Sequence, residues 1–305
     1  MSAPRVFVAV LVIAGLGLFL AGCSVVQKGA DILTSQGKMS QKDRDAIVKT
    51  SEAVRSTFSD ISEEEEYFIG RSVAAMILSK YPAYKNDNLT QYINLVGSAV
   101  AVYSDRPEIY AGWHFLVLDT EDVNALAAPG GMIFITKGLL RRCRDEESLG
   151  LILAHEVGHV CAKHGLQSIK KSRLVDAFRL IGQQAAQRYS PENLAQLTNI
   201  FENVLGDIAE QLIERGYDRK YEYEADRLAV KFGAKTGFDP SGIMRFLQTM
   251  VGDSSSASGK GWFKTHPTPE DRIASLEKEM ASLGSLPKIE AVRTERFKQY
   301  ANSLK

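Results

Sequence analysis

The sequence predicts an α+β fold that is predominantly helical, with a small β-sheet beside a buried helix. Two short runs, 113–118 and 132–136, are rich in the β-branched and aromatic residues that favour strands. From Lys137 onward, apolar residues recur almost throughout at helical spacing. The run 149–154 is apolar on every side, which indicates a helix enclosed by the core.

The composition favours a globular, uncharged protein. Of the 305 residues, 45% are hydrophobic, which is enough for a core and excludes a wholly disordered chain. The 37 Lys and Arg residues balance 37 Asp and Glu residues, so no net charge attracts nucleic acid. We therefore expect no nucleic-acid partner.

The N-terminal segment is typical of a bacterial lipoprotein signal. Arg5 precedes an apolar run over 6–20, and Leu-Ala-Gly-Cys at 20–23 resembles the lipobox, in which Cys23 carries the lipid. In proteins with a lipobox, a residue other than aspartate after the cysteine usually means the outer membrane, so the resemblance implies its periplasmic face for a chain with Ser24. The alternatives are an uncleaved anchor helix, or an ordinary signal with a coincidental cysteine. Without residues 1–22 the chain keeps 36 basic and 37 acidic residues, so the lipid would supply the membrane attachment.

The mature chain divides into three predicted parts. A tether and N-terminal arm cover 23–60, a main domain covers 61–285, and a helical tail covers 286–305. Ser62 and Glu65 form a capping-box pattern that predicts a helix to about Lys80.

The remaining elements follow from periodicity and breakers. We expect helices over 88–103, 145–162 and 269–283, long amphipathic helices over 165–215, and a short one after Pro287. The stretch 124–131 reads as the turn between the two strands, and 252–261 as a flexible loop.

Two further cysteines lie at opposite ends of the predicted 145–162 helix, with Cys143 just before it and Cys161 in its last turn. At 1.5 Å of rise per residue, they lie about 25 Å apart, too far for a disulfide bond. We expect both to be free, with Cys161 a small buried residue.

The chemistry is concentrated in His155-Glu156-Val157-Gly158-His159. Positions i and i+4 share one helix face, so both imidazoles can bind one metal ion, with Glu156 beside it as a base. Burying two histidines requires partners, which a zinc ion supplies. The alternative is a chance match in which both are ordinary core residues.

A third ligand is predicted at Glu222. It lies three residues before Ala225, on the apolar stripe of a helix over 221–232, whereas Glu224 points elsewhere, towards solvent. A carboxylate on such a stripe is costly unless it is paired or bound to metal. Asp226 is placed to accept the second N–H of a ligand histidine. The alternative is a surface charge run.

These residues together resemble the M48 zinc metallopeptidases, with HExxH followed by Glu222-x-x-Ala225-Asp226. The match extends over about 60–285. Three further stretches agree with the family: Asn124-Ala125-x-Ala127-x-Pro129-Gly130-Gly131 with 133–140, His164-Gly165, and Thr265-His266-Pro267 with Pro269-Glu270-x-Arg272. The chain lacks the membrane spans of some members and the repeat domain of others.

The resemblance implies a zincin-like domain of the gluzincin type and a zinc metalloendopeptidase. It implies one Zn²⁺ per chain, held by His155, His159 and Glu222, and a zinc-activated water from which Glu156 takes a proton. Arg272 is our candidate oxyanion donor; the alternative is an ordinary surface arginine.

Extended or unfolded polypeptides are the predicted substrates. The run 132–136 would offer its edge to an extended peptide by β-augmentation, so specificity should be loose. The residues predicted to form the substrate-binding strand and its turn are Asn124, Ala125, Gly131, Met132, Ile133 and Phe134.

The other histidines have weaker predictions. His266 follows a Gly/Ser loop, and nothing in the pattern buries it, so it is a candidate gate or fourth ligand. The alternative is a helix-cap residue or a residue that supports a ligand. His164 is expected near a helix end, where a cation suits the dipole, and His114 is expected to be structural.

Three functions compete. The first is a lipid-anchored endopeptidase that cuts unfolded or misassembled envelope proteins, and the second is a catalytically restrained chaperone-like or binding protein on the same fold. The third is a zinc hydrolase of non-peptide substrates. The complete ligand set argues against the second, and the predicted peptide edge argues against the third. The oligomeric state, cleavage preference and partner proteins have no sequence signal.

Overall fold

The computed structural model describes residue 40 and residues 61–168, 202–203, 205–251, 262–266, 269–284 and 286–304. The predicted signal segment, Cys23, most of the tether and the 252–261 loop lie outside the described residues. So does most of the 165–215 helical region. The described part from Glu63 onward forms one compact unit.

A three-stranded sheet forms one layer of this unit. The strands are β1 (His114–Leu118), β2 (Ala125–Ala128) and β3 (Met132–Thr136). Their order is β1-β3-β2, so β3 is central, parallel to β1 and antiparallel to β2. The prediction of two strands was therefore incomplete, since β2 occupies much of the stretch predicted as a turn.

The reversal between β2 and β3 is confined to a 3₁₀ turn at Pro129–Gly131. Gly130 has φ 70°, and a Cβ added there would lie 2.7 Å from the Tyr67 Cα. Both the positive φ and the close backbone approach require glycine at this position.

The helices that surround the sheet match the predicted pattern. They are α1 (Glu63–Lys80), α2 (Asp87–Val102), α3 (Lys137–Leu140), α4 (Glu146–Cys161), α5 (His164–Gln167), α6 (Arg219–Thr236), α7 (Ser241–Val251), α8 (Trp262–Thr265), α9 (Pro269–Ser282) and α10 (Ala291–Ala301). A π-helical turn, Gln211–Arg215, precedes α6. Among the described residues, none of the helices has the length and apolarity needed to cross a membrane.

Helix α4 lies at the centre of the core. It begins where the Asp145 side chain accepts a hydrogen bond from the Ser148 N–H, and its residues from Glu146 to Val160 are all buried. It packs against α6, and the two helices approach closely at Gly158, where an added Cβ would lie 3.2 Å from the Leu228 Cβ. A larger residue at 158 would force the two helices apart.

The predicted tail is part of the packing. Phe297 and Leu304 belong to the hydrophobic core cluster. Arg293 Nη1 lies 3.2 Å from Glu147 Oε1, and Arg296 Nε donates to Glu146 Oε2 over 2.7 Å. These contacts hold α10 against the first turn of α4.

Both described cysteines are free, as predicted. Cys143 is buried, and burial raises the pKa of its thiol. Cys161 is half-buried rather than buried.

Truncation of Phe297 to alanine should lower the free energy of unfolding of the whole domain by about 3 kcal/mol, because it leaves a cavity in the shared core. Urea unfolding followed by tryptophan fluorescence measures this change. Val292→Ala on the same helix is the control, since Val292 is 66% exposed and its loss should cost less than about 0.5 kcal/mol. Equal effects of the two changes would show that α10 is not part of the core.

Candidate metal centre

The three predicted ligands meet where α4 and α6 cross. His155 Nε2 and His159 Nε2 lie 3.0 Å apart on one face of α4. Glu222, in the first turn of α6, places one oxygen 3.4 Å from His155 Nε2 and the other 3.5 Å from His159 Nε2. All three side chains are buried.

His266 completes the cluster from another direction. Its Nδ1 lies 3.0 Å from Glu222 Oε2 and 3.4 Å from His155 Nε2. Only 3% of His266 is exposed, and its ring stacks on Trp262 with the centroids 4.0 Å apart. The expectation that nothing buries His266 was therefore wrong, since Trp262 covers one face of its ring.

The donor set fits a zinc ion. The four ligand atoms all lie within 4.8 Å of one another. Tetrahedral zinc with bonds of about 2.0–2.1 Å needs neighbouring donors about 3.3 Å apart, which is close to the separations found here. Imidazole and carboxylate are also the ligands that zinc prefers when thiolates are absent.

Asp226 and Arg272 support the ligands from behind. Asp226 Oδ1 lies 2.9 Å from His155 Nδ1, as the sequence predicts for the acceptor of that N–H. Arg272 donates to both Asp226 oxygens, over 2.7 and 2.8 Å. Its Nη1 lies 3.2 Å from Glu222 Oε2.

These contacts exclude one alternative for Arg272. The side chain is fully buried, so it is not a surface arginine. Its guanidinium is directed at Asp226 and Glu222 and holds these two carboxylates in place, while its role as an oxyanion donor stays a prediction. Sequence periodicity could not reveal this, because α9 and α6 meet only in the folded protein.

Glu156 is the remaining member of the motif. It is 1% exposed, and neither carboxylate oxygen has a hydrogen-bond partner within the part of the chain that the structure describes. Its Oε1 lies 3.7 Å from His266 Nε2. It lines a small cleft together with residues of β2, of the segment before α6 and of the end of α8: Ala125, Leu126, Ala127, Leu212, Gly216, Tyr217, Thr265 and His266.

Burial and neighbouring charges shift the pKa values of the groups in the centre. Burial raises the pKa of Glu156 and lowers the pKa of His159 well below its ordinary value. Burial alone would also raise the pKa of Glu222, but the neighbouring His266, His155 and Arg272 hold it well below its usual range. Against the same burial penalty, Arg272 lowers the pKa of Asp226. Burial lowers the pKa of His155, but Asp226 and Glu222 outweigh this and raise it to about 9. A metal ion binds the neutral imidazole, so binding at His155 releases a proton.

The structure does not leave the predicted strand, 132–136, free to pair with a peptide. β3 is paired on both sides, so 132–136 offers no edge; β1 and β2 are the outer strands of the described sheet, and β2 lines the cleft with Glu156. Of the predicted substrate strand, only Ala125 lies on β2, because Gly131 ends the 3₁₀ turn and Met132, Ile133 and Phe134 belong to β3. β2 was not predicted as a strand from the sequence, because a run of alanines has little preference for strands.

Asn124 has a structural role next to this edge. Its Oδ1 accepts hydrogen bonds from the Ala125 N–H over 2.9 Å and from the Thr265 hydroxyl over 2.9 Å. It thereby links β2 to the residue that precedes His266.

Two aromatic residues of the centre have no motif in the sequence. Trp262 stacks on His266, and Tyr217 stacks on His159 with the centroids 4.4 Å apart. Neither lies in a periodic pattern that points to the metal ligands, and both reach the cluster through tertiary packing.

The other two histidines lie in different environments. His164 is fully buried at the start of α5, with its Nδ1 2.8 Å from His159 Nδ1, and burial lowers its pKa. It lies just after the end of α4, near a helix end as expected, but its burial disfavours the cationic form. His164 Nε2 lies 3.3 Å from Glu224, which is 42% exposed rather than fully solvated. His114 is exposed on β1, where Nε2 lies 2.9 Å from the Ala111 carbonyl.

Zinc should stabilise the folded protein strongly. At a free zinc concentration of about 1,000 times Kd, the gain is about 4 kcal/mol, because only the folded chain brings the ligands together. Thermal unfolding with EDTA and with added zinc measures the shift in Tm. His159→Ala should abolish the shift and His114→Ala should keep it; equal shifts in both variants would place the ion elsewhere.

Comparison with known proteins agrees with this geometry. The chain is 26% identical over 221 residues to the β-barrel assembly-enhancing protease of Escherichia coli (strain K12), covering 71% of this chain and 44% of that protein. It is 29% identical over 206 residues to the mitochondrial metalloendopeptidase OMA1 of Bos taurus, covering 64% and 39%. It is 24% identical over 233 residues to the OMA1 protein of Schizosaccharomyces pombe, covering 73% and 63%. The chain thus spans between 39% and 63% of the length of these relatives.

The family model of Peptidase family M48 matches residues 87–280, which include both histidines of the motif, Glu222 and Arg272. This match extends over more than half of the chain, and the donor set that it contains suits zinc. The chain therefore belongs to Peptidase family M48, a family of zinc metallopeptidases.

Proposed function

We propose that this chain is a zinc-dependent endopeptidase that hydrolyses internal peptide bonds of extended polypeptides. One observation carries the proposal: the two oxygens of the buried Glu156 have no hydrogen-bond partner in the described structure, and Glu156 lines a cleft beside the proposed metal ligands. A buried carboxylate without hydrogen bonds is costly for stability and suits a group that must exchange a proton with substrate.

His155, His159 and Glu222 are the proposed zinc ligands. A bound zinc ion supplies a Lewis acid, which lowers the pKa of water and polarises a carbonyl oxygen. Asp226 Oδ1, 2.9 Å from His155 Nδ1, is the proposed acceptor of the Nδ1–H, which would leave Nε2 free to bind. Arg272 keeps Asp226 and Glu222 ionised and in place.

Glu156 is the proposed general base. Its carboxylate takes a proton from the attacking water, and the resulting carboxylic acid delivers that proton to the leaving nitrogen. Burial raises the pKa of Glu156, which makes it a stronger base than an exposed glutamate. The two functions of acid and base therefore reside in one side chain.

The substrate strand is proposed to pair with β2. Ala125, Leu126 and Ala127 line the same cleft as Glu156, so a peptide paired with this strand would pass the base. Such pairing uses main-chain hydrogen bonds, and alanine side chains leave room for varied residues. Loose specificity for unfolded chains follows.

The proposed setting is the bacterial envelope. The lipobox-like sequence before Cys23 supports a lipid anchor at the periplasmic face of the outer membrane. The similarity to β-barrel assembly-enhancing proteases supports unfolded or misassembled envelope proteins as substrates.

His266 favours a second, restrained state of the same enzyme. Its Nδ1 lies 3.0 Å from Glu222 Oε2, where it would occupy the position that substrate and water need. We propose that His266 is a gate, which lowers the rate of cleavage until it leaves this position. A chaperone-like activity would belong to the form in which His266 occupies the position beside Glu222.

Glu156→Gln should lower casein hydrolysis by about 10²- to 10⁴-fold, because the amide cannot accept the proton. Zinc content measured on the same samples should be unchanged, since Glu156 is not a proposed ligand. Zinc-loaded wild-type protein that cleaves no unfolded substrate would favour the restrained alternative. Equal cleavage by wild type and Glu156→Gln would reject Glu156 as the base.

His266→Ala should raise the rate of casein cleavage, because it vacates the fourth ligand position. The double variant with Glu156→Gln should remain inactive, which excludes a contaminating protease. An unchanged rate in the single variant would reject the gate while leaving the endopeptidase proposal intact.

A further inference from the structure

One buried histidine outside the proposed ligand set touches a proposed ligand. His164 lies at the start of α5, is fully buried, and has its Nδ1 2.8 Å from His159 Nδ1. Its other ring nitrogen, Nε2, lies 3.3 Å from Glu224 Oε2. A continuous line of contacts therefore runs from His159 through His164 to a half-exposed carboxylate.

The directions of these hydrogen bonds follow from the ligand role of His159. Its Nε2 faces the other donors, 3.0 Å from His155 Nε2 and 3.5 Å from Glu222 Oε1. A metal bound there uses the Nε2 lone pair, so the ring proton must sit on Nδ1. The His159 Nδ1–H can then only donate, and His164 Nδ1 must accept.

The direction of the hydrogen bond between His164 and Glu224 is fixed in the same way. With Nδ1 as the acceptor, the neutral His164 ring carries its proton on Nε2. That N–H donates to Glu224 Oε2, whose charge stabilises this tautomer. The opposite tautomer of His164 would place two N–H groups against each other across 2.8 Å.

Aromatic packing fixes the orientation of the His164 ring. Tyr221 lies with its ring centroid 4.4 Å from that of His164, and Tyr217 lies 5.9 Å away. The Tyr217 ring also stacks on His159, so the two imidazoles share one aromatic wall. The ring plane is thus held while the hydrogen bonds select the tautomer.

We propose that His164 and Glu224 are positioning residues, which hold His159 in its metal-binding tautomer through the chain Glu224–His164–His159. The inference rests on the proposed function, because it takes His159 as a zinc ligand. It assigns the residue Glu224, on the half-exposed face of α6, a role in zinc affinity.

Amide substitutions separate the two hydrogen bonds of His164. Asn places its amide oxygen near the position of Nδ1, whereas Gln reaches only the position of Nε2. Zinc Kd, measured by competition with a chromophoric chelator, should change about threefold or less for His164→Asn and rise about 10- to 100-fold for His164→Gln and His164→Phe. Circular dichroism checks that each variant folds.

Glu224→Ala tests the solvent-facing end of the chain Glu224–His164–His159 without changing a buried residue. Zinc Kd should rise several-fold, because His164 loses the acceptor that selects its tautomer. Arg227→Ala is the matched control. Arg227 lies on the same face of α6 and is 3.8 Å from the other Glu224 oxygen, but it makes no contact with His164 in the described structure. The zinc Kd of Arg227→Ala should equal that of wild type.

The wild-type protein gives an independent spectroscopic test. In zinc-loaded protein labelled with ¹⁵N-histidine, His164 should show a protonated Nε2 and an unprotonated Nδ1, assigned by the loss of its signals in His164→Asn. A proton on His164 Nδ1, or equal zinc Kd in wild type, His164→Gln and Glu224→Ala, would overturn the proposal. If wild type binds zinc and cleaves casein in that case, the proposed function stands. If wild type binds no zinc, both proposals fail.

Discussion

The close crossing of α4 and α6 at Gly158 is the constraint on which the centre depends. Two histidines on one helix and a glutamate on the other converge only because no side chain separates the helices at that point. The crossing is buried, so each polar group there needs a partner. That requirement is met by the contacts among four buried side chains: His155, Glu222, Asp226 and Arg272.

Charge balance accounts for the composition of this buried region. Glu156, Glu222 and Asp226 bring three carboxylates into the core, and Arg272 returns one positive charge. A divalent ion supplies the other two, so the zinc-loaded centre is close to neutral. Burial of an uncompensated charge costs several kcal/mol, which makes the metal a structural requirement as well as a chemical one. Arg272, although far from α6 in sequence, is therefore as necessary to the arrangement as a ligand.

The sequence predicted those features that depend on local periodicity. The spacing of His155 and His159, the apolar stripe that carries Glu222, and the helix from Asp145 to Ala162 all follow from helix geometry alone. The strand β2 escaped prediction because four residues, three of them alanines, have neither alternation nor strong strand preference. The direction of Arg272 and the cover that Trp262 gives His266 depend on packing between distant segments, which no local pattern encodes.

The contacts between α10 and the first turn of α4 have a consequence for when the enzyme becomes complete. Arg296 and Glu146 are 150 residues apart in sequence, and a ribosome makes the chain from its N-terminus. The helix that carries both motif histidines is thus synthesised long before the residues that brace it. A partly made chain holds the catalytic motif but not the brace, so the order of synthesis delays a fully stable active centre until residues 291–304 have emerged and folded.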